Sequence, residues 1–564
     1  MSTEHLESNA NDAIAPNAYR LLWAGFMAIL AAGVGFSVRG GILGQWANQF
    51  GFSMTELGLI TGGGLTGFGI VIILSSLIAD KVGYGKLMLG AFLCHVASAV
   101  LTFMAPAAFL SGGKASAFSC LSWGMFLFAV GNGFCEAVVN PLTATLFPKN
   151  KTHYLNILHA GWPGGLILGG LASYFMAGGV GGKPVSWQFQ ISLFLAPVVL
   201  YGLMMLGQRF PKSEASSSGV SYRDMLGELG LVGAAVICGL LALFFKSDLG
   251  LPPLFAGGIA AALLVAFGAA TGFRFGHLLL AALLLVHAMV GYVELGTDSW
   301  ISKITGTIMN SPANGLLLFV YTSGLMFVLR FFAGPIVERI SPLGLLAASA
   351  LFGAVGLTLL GNAQGGLMCV IAATVYGIGK TFLWPTMLAV VSEQFPKGGA
   401  ITIGAAGGVG MLAAGLLGGP GIGFLQDQNA SANLRESSAA VYDRYKAPKE
   451  NEFLWMKTFG LDGSKVGVLE DGGKEAQRAL DLMQRQNAKP DAITAQKKLV
   501  DWWTTSAAPD AAADKPLVEA ASLFGGRQAL KLTAFVPATM LACYALLLAW
   551  FSTRGGYKAR GMHH

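Results

Sequence analysis

The chain has 564 residues, of which 54% are hydrophobic and only 12% are charged. A soluble protein carries about 25% charged residues, so the composition excludes an ordinary set of soluble domains. The net charge of +7 could indicate a protein that binds nucleic acid. The long polar segment 426–528, however, is nearly neutral, with 14 basic and 15 acidic residues. The excess therefore lies in the apolar remainder, where Lys and Arg collect in cytoplasmic loops. No nucleic-acid partner is expected.

Apolar runs of about 20 residues, the length that crosses a bilayer, recur along the chain. They predict an all-α polytopic membrane protein with two six-helix bundles and two extra central helices. The first six segments are 20–46, 54–79, 86–105, 118–146, 154–178 and 188–208, and the extra pair is 226–246 and 252–271. The last six segments are 275–300, 314–334, 343–361, 367–392, 400–425 and 530–551, which makes fourteen.

Basic residues fix the expected orientation. With a cytoplasmic N-terminus, the cytoplasmic connections hold Lys81, Lys86, Lys149, Lys151, Arg209, Lys212, Arg223, Arg274, Arg339 and Lys397. Both termini are then cytoplasmic in an integral cytoplasmic (inner) membrane protein. The predicted domains are a tail (1–18), an N-terminal bundle (19–212), a linker with two helices (213–272), five helices of the C-terminal bundle (273–425), an extracytoplasmic insert (426–528), the last helix (529–551) and a tail (552–564).

The polar insert 426–528 contains no membrane-length apolar run. Patches such as GGKEAQRALDLMQRQ favour a small, partly helical cap, and a loose linker is the alternative, because long loops are usually functional or disordered.

Two stretches repeat across the halves of the chain. SSLIADKVGYGKLML and GPIVERISPLGLLAA both place an acid–base pair just past an apolar helix, with a small residue four positions before the acid. GNGFCEAVVNPLTATLFPK and GIGKTFLWPTMLAVVSEQFPK share an opening Gly-x-Gly, a midway Pro and a closing Phe-Pro-Lys. Internal repeats of this kind are typical of secondary transporters, whose binding site lies at the repeat interface.

The element ADKVGYGK (79–86) resembles the signature loop of the major facilitator superfamily. The resemblance implies a cytoplasmic gating motif, in which an acid at a helix end pairs with a base of the other bundle. Its members here are Asp80, Lys81, Gly83, Lys86, Gly334, Glu338 and Arg339.

Within that superfamily, CEAVVNP followed by YLNILHAGWPGG is similar to the fucose–proton symporter-like sugar transporters. The resemblance implies that Glu136, Asn140, Asn156 and His159 line the substrate path. Those relatives tend to carry an Asp in the first helix, where this chain has Arg39.

Charges inside the apolar segments mark a candidate site, since intramembrane ionisable groups normally face a cavity and pair there. Helical spacing places polar residues on one face of four segments, namely Arg39; Asn132, Glu136 and Asn140; Glu294 and Asp298; and Tyr376, Lys380 and Trp384. The three acids are expected to face Arg39 and Lys380 across a water-filled pocket. One acid is then left unpaired and available for proton coupling, and the sequence does not choose between Glu136 and Glu294.

Several of these residues also have ordinary structural interpretations. Glu136 could be a structural partner of Lys380, and Asp298 could be solvated at its helix end. His159, Tyr376 and Trp384 could be packing residues. Arg330, near a cytoplasmic helix end, is expected to extend towards the interface or to join the gating motif.

The sequence thus predicts a secondary active transporter of a small polar solute, most simply a sugar or polyhydroxylated compound, coupled to protons. A carboxylate carrier using Arg39 and Lys380 is the first alternative, and a non-transporting sensor or scaffold is the second. The expected partners are the solute, protons and lipid, and the expected state is a monomer. No enzyme activity, cofactor or metal is expected, because the sequence carries no motif for them.

Overall fold

The computed structural model describes residues 15–52, 54–176, 185–485 and 490–562, and its regular structure is almost entirely helical. The first half contains Ala18–Gly41 (α1), Leu43–Phe50 (α2), Met54–Val82 (α3), Tyr84–Leu146 (α4), Lys151–His159 (α5), Gly161–Met176 (α6) and Trp187–Met205 (α7). Between the halves lie Glu214–Ser217 (α8), Tyr222–Ser247 (α9) and Pro253–Thr271 (α10). Residues 1–14 and 563–564 of the predicted tails lie outside the described residues.

The second half begins with Leu278–Gly291 (α11), a π-helical turn Tyr292–Gly296, Thr297–Ile308 (α12), Pro312–Arg330 (α13) and Ala333–Asn362 (α14). It continues with Gly366–Lys380 (α15), Leu383–Gln394 (α16), Gly399–Ala413 (α17), a second π-helical turn Ala414–Gly418 and Gly419–Ser437 (α18). The chain ends with Ala511–Thr533 (α23) and Phe535–Ser552 (α24).

Twelve helical stretches in the described part of the chain are long and apolar enough to cross a membrane. The predicted count of fourteen differs for two physical reasons. Predicted segments 86–105 and 118–146 form one continuous helical stretch, interrupted only at Gly113, whose φ of 69° breaks the helix without a polar loop. The fifth predicted segment is divided at Ala160 into two helices, each too short to be counted alone. The all-α membrane fold is confirmed, while the count of fourteen stays a prediction.

The insert is folded. Between α18 and α23 it contains Ala439–Tyr445 (α19), Gly463–Asp471 (α20), Lys474–Arg485 (α21) and Pro490–Trp502 (α22). An antiparallel hairpin pairs Asn451–Phe453 (β1) with Met456–Thr458 (β2). The insert has its own apolar core, which includes Leu434, Val441, Tyr445, Leu469 and Val518. A cap therefore describes this segment better than a loose linker does.

The gating-motif residues lie at one end of the bundles, which we call the motif end; the opposite end is the insert end. Gly83 separates α3 from α4 with a φ of 91°, a backbone conformation that favours glycine. The Gly334 N–H donates to Nδ1 of His153, which belongs to the other half, at 3.2 Å. Neither Asp80 nor Glu338 forms an ion pair among the described residues, which corrects the expected acid–base bridge between bundles. Lys81 instead lies 3.6 Å from the ring centroid of Tyr222.

The two halves approach most closely where α3 packs on α17. A Cβ atom on Gly69 would lie 2.8 Å from the Leu412 backbone nitrogen and 2.9 Å from the Gly408 carbonyl oxygen. On the same helix, a Cβ on Gly67 would meet only Ala129, at 3.9 Å. Glycine at position 69 thus allows direct contact between the backbones of the two bundles.

We expect Gly69→Ala to lower the melting temperature of the purified protein, since the new methyl group meets immovable backbone. Overpacking of this kind destabilises by about 1–3 kcal/mol. Gly67→Ala is the control, because alanine favours a helix over glycine by about 1 kcal/mol and has open space there. Equal melting temperatures for the two variants would contradict the close approach.

Candidate functional site

A small cavity lies between the two bundles and is surrounded by charge. Its lining consists of Glu136, His159, Trp162, Glu294, Leu295, Arg330, Trp384 and Met411. The volume is about 20 Å³, which holds a single water molecule but no larger solute. The expected water-filled pocket is therefore closed in this conformation. Four predicted site residues line it, whereas Arg330 and Trp162 were not predicted to do so.

Glu136 lies in the N-terminal bundle within a hydrogen-bonded chain. Its Oε2 accepts from Asn140 Nδ2 at 2.5 Å, and Asn140 Oδ1 contacts His159 Nε2 at 2.8 Å. His159 Nε2 is 3.9 Å from the Glu136 carboxylate. No Lys or Arg forms an ion pair with Glu136 in the described part of the chain. Asn156, another predicted residue of the N-terminal bundle, donates to Thr386 Oγ1 of the other bundle at 3.1 Å.

Arg330 occupies the centre of the bundle interface and is 1% exposed. Its Nη2 lies 2.9 Å from Glu294 Oε1, its Nη1 donates to the His159 carbonyl at 2.6 Å, and its Nε donates to the Thr381 carbonyl at 2.8 Å. The expectation that Arg330 extends to the membrane–water interface or joins the gating motif is wrong. The arginine side chain is long enough to fold back from the helix end and to place its guanidinium inside the protein.

Both carbonyl acceptors of Arg330 follow from the sequence. Pro163 stands four residues after His159, and Pro385 stands four residues after Thr381. Proline has no N–H, so the carbonyl four residues earlier lacks its usual helical donor. A buried carbonyl left in this way needs another partner. Arg330 satisfies one such carbonyl in each bundle.

The second buried ion pair joins Lys380 Nζ to Asp298 Oδ1. Lys380 is 0% exposed and Asp298 is also enclosed, which corrects the interpretation of Asp298 as a solvated helix end. The Tyr376 hydroxyl donates to the Val293 carbonyl at 2.8 Å, so Tyr376 supports the backbone beside the site. Arg330 thus pairs with Glu294 and Lys380 pairs with Asp298, and no further Lys or Arg among the described residues pairs with Glu136.

The π-helical turn Tyr292–Gly296 carries Glu294 and changes the register predicted for this helix. It packs against the second π-helical turn, Ala414–Gly418. The backbones touch there, because a Cβ on Gly296 would lie 2.6 Å from the Gly418 Cα atom. Single π-helical turns are frequent at functional sites, since they re-aim a side chain.

Two predicted residues lie elsewhere. Arg39 is buried inside the N-terminal bundle, where Nη2 donates to Ser98 Oγ at 3.0 Å and the guanidinium carbon lies 4.0 Å from the Phe128 ring centroid. It pairs with no carboxylate among the described residues, which corrects its expected place opposite the acids. Asn132 Oδ1 contacts His95 Nε2 at 3.0 Å in the same bundle interior. Helical spacing predicts which residues share one face of a helix, but it does not predict which residues of other helices that face contacts.

The family model of the Major Facilitator Superfamily matches residues 25–421, well over half of the chain. The chain belongs to the Major Facilitator Superfamily. The predicted family is thus confirmed, and members of this superfamily are membrane transporters. No curated protein sequence matches the chain. Among the described residues, no group of three His, Cys, Asp or Glu could hold a metal ion.

Several solved structures of the superfamily share the fold at low sequence identity. A bacterial homologue of the human lysosomal transporter Spinster, inward-facing and unoccupied, is 14% identical with a TM-score of 0.53, covering 95% of this chain and 97% of the homologue. The transporter FucP in its outward conformation is 16% identical with a TM-score of 0.50, covering 72% and 92%. A D-xylose–proton symporter is 15% identical with a TM-score of 0.50, covering 71% and 88%. At these identities the likeness concerns the fold alone.

Proposed function

We propose that this superfamily member carries a small polyhydroxylated solute, such as a sugar, together with a proton by alternating access. One observation carries the proposal. Glu136, Glu294 and Arg330 line the cavity between the bundles, and the Lys380–Asp298 ion pair lies in the C-terminal bundle near Glu294. Among the described residues, Glu136 is the carboxylate of this cluster that pairs with no Lys or Arg. An unpaired acid in a low-dielectric site favours its neutral form, and this makes it a proton carrier.

The aromatic and amide side chains near the cavity favour a sugar as the substrate. The indole rings of Trp162 and Trp384 both line the cavity, and Trp384 is also held 4.6 Å from His287 between ring centroids. Aromatic faces suit the apolar faces of sugar rings, while Asn140 and His159 offer hydrogen bonds. A carboxylate substrate is disfavoured because Arg330 and Lys380 already hold carboxylates and the cluster carries an excess negative charge.

The test is uptake by proteoliposomes containing the full chain. A panel of neutral monosaccharides and a panel of monocarboxylates are first ranked by thermal stabilisation, and the best binders are then assayed with and without a pH gradient that is acidic outside the vesicles. We expect a neutral sugar to be taken up and the gradient to stimulate its uptake. Stabilisation and uptake confined to carboxylates would contradict the proposal.

A further inference from the structure

The motif end of the protein is closed by polar contacts between the bundles. Thr152 Oγ1 of the N-terminal bundle donates to Glu393 Oε1 of the C-terminal bundle at 3.0 Å. Within the C-terminal half, the Tyr557 hydroxyl donates to the other oxygen of Glu393 at 2.6 Å and holds this carboxylate in place. Arg330 adds a contact deeper in the interface, beside the cavity. Its helix, α13, ends at Arg330, four residues before the motif residue Gly334. Arg330 therefore stands between the cavity and the motif end.

The three bonds of Arg330 are not equivalent when the bundles separate. Glu294 and Thr381 belong to the same bundle as Arg330 and can move with it. The His159 carbonyl belongs to the other bundle, so the 2.6 Å bond to it must break before the motif end can open. This bond is charge-assisted, and bonds of this kind are about twice as strong as neutral ones.

Charges around the guanidinium determine how firmly it is held. The ionisable groups that act on it directly are Glu136 on α4, His159 on α5, Glu294 on the π-helical turn and Asp298 on α12. Behind them, His287 on α11 lies near His159, and Lys380 on α15 lies near Glu294. Of the carboxylates, only Glu136 belongs to the N-terminal bundle. Ionised Glu136 therefore attracts Arg330 across the interface, whereas protonated Glu136 does not.

We propose that Arg330 is the gate residue of the motif end, holding the His159 carbonyl, and that protonation of Glu136 weakens this hold. This inference rests on the proposed function for its role in transport. Loading of a proton on Glu136 from the insert end then permits opening of the motif end. Loss of the proton restores the attraction and closes that end again. Arg330 acts as a positioning residue that needs no contact with the solute.

The test measures how far the motif end opens, and it needs no solute. Spin labels at the exposed positions Asn150 and Ile340 report the distance between the bundles in nanodiscs by pulsed electron resonance. Loss of one charge-assisted hydrogen bond changes such an equilibrium about tenfold. We expect Arg330→Gln to raise the ratio of open to closed molecules about tenfold at high pH, where Glu136 is ionised in the wild type, and to abolish the dependence of this ratio on pH. Arg330→Lys retains the charge and is expected to remain partly closed and responsive to pH.

Arg20→Gln is the matched control, because Arg20 Nε also donates to a helix carbonyl, that of Met204 at 2.7 Å, but within one bundle. The double variant Arg330→Gln/Glu294→Gln covers the case in which a lone buried Glu294 prevents folding. Wild-type distances in the Arg330 variants would overturn the gate. If the distances shift as expected but no solute is transported, the gate stands and the proposed function fails.

Discussion

Replacement of Glu136 by glutamine is expected to abolish the stimulation of solute uptake by a pH gradient. Glutamine keeps the size of the side chain and an oxygen that can accept from Asn140, but it binds and releases no proton. With one proton per solute, each pH unit can drive up to about tenfold accumulation in the wild type. We expect the variant to accumulate none, while exchange of labelled for unlabelled solute continues. Both rates are measured in the same proteoliposomes.

Glu136→Asp and Glu294→Gln serve as comparisons. The aspartate variant retains an acid and is expected to keep part of the gradient-driven uptake. Glu294→Gln removes the partner of Arg330 and is expected to impair exchange as well as accumulation. Full gradient-driven uptake by Glu136→Gln would remove Glu136 from the coupling step.

Replacement of Lys380 by methionine is expected to destabilise the protein by about 3–5 kcal/mol, because it leaves Asp298 as an uncompensated buried charge. Lys380 is fully buried and Asp298 nearly so. We expect the double variant Lys380→Met/Asp298→Asn to recover most of this loss, since it removes both charges. Chemical denaturation of the purified variants measures the effect.

The control for this pair is Lys446→Met in the insert. Lys446 forms an ion pair with Asp443 at 2.8 Å, with both side chains largely exposed. Exposed pairs contribute about 0–1 kcal/mol, so little change is expected. If Lys380→Met were as mild as Lys446→Met, the buried pair would not hold the site together.

Much of the fold could be predicted from the sequence because its determinants are local. Apolar length gives the membrane helices, and the repeated motif gives two related bundles. The helical connection at Gly113 and the break at Ala160 could not be predicted from the sequence, since a helix can bend or continue without any polar loop. The fold of the insert could not be predicted from the sequence, because its core brings together residues as far apart in the chain as Leu434 and Val518.

The candidate site was partly predictable for the same reason. Helical spacing placed Glu136 and Glu294 on faces that meet at the cavity. It also suggested Arg39, whose actual partners, Ser98 and Phe128, lie far along the chain and give no local signal. Arg330 was missed although the sequence contained a clue. Two Trp-Pro pairs free two carbonyls, and a buried donor was needed to satisfy them.

Proton coupling as proposed requires that Glu136, and not Glu294 or Asp298, is the carboxylate of the site that binds the proton. Infrared difference spectroscopy of the purified protein between low and high pH tests it most directly, since a protonated carboxylic acid has its own carbonyl stretching band. We expect a titrating band that is present in the wild type and in Glu294→Gln but absent in Glu136→Gln. A band that persists in Glu136→Gln and disappears in Glu294→Gln would contradict it.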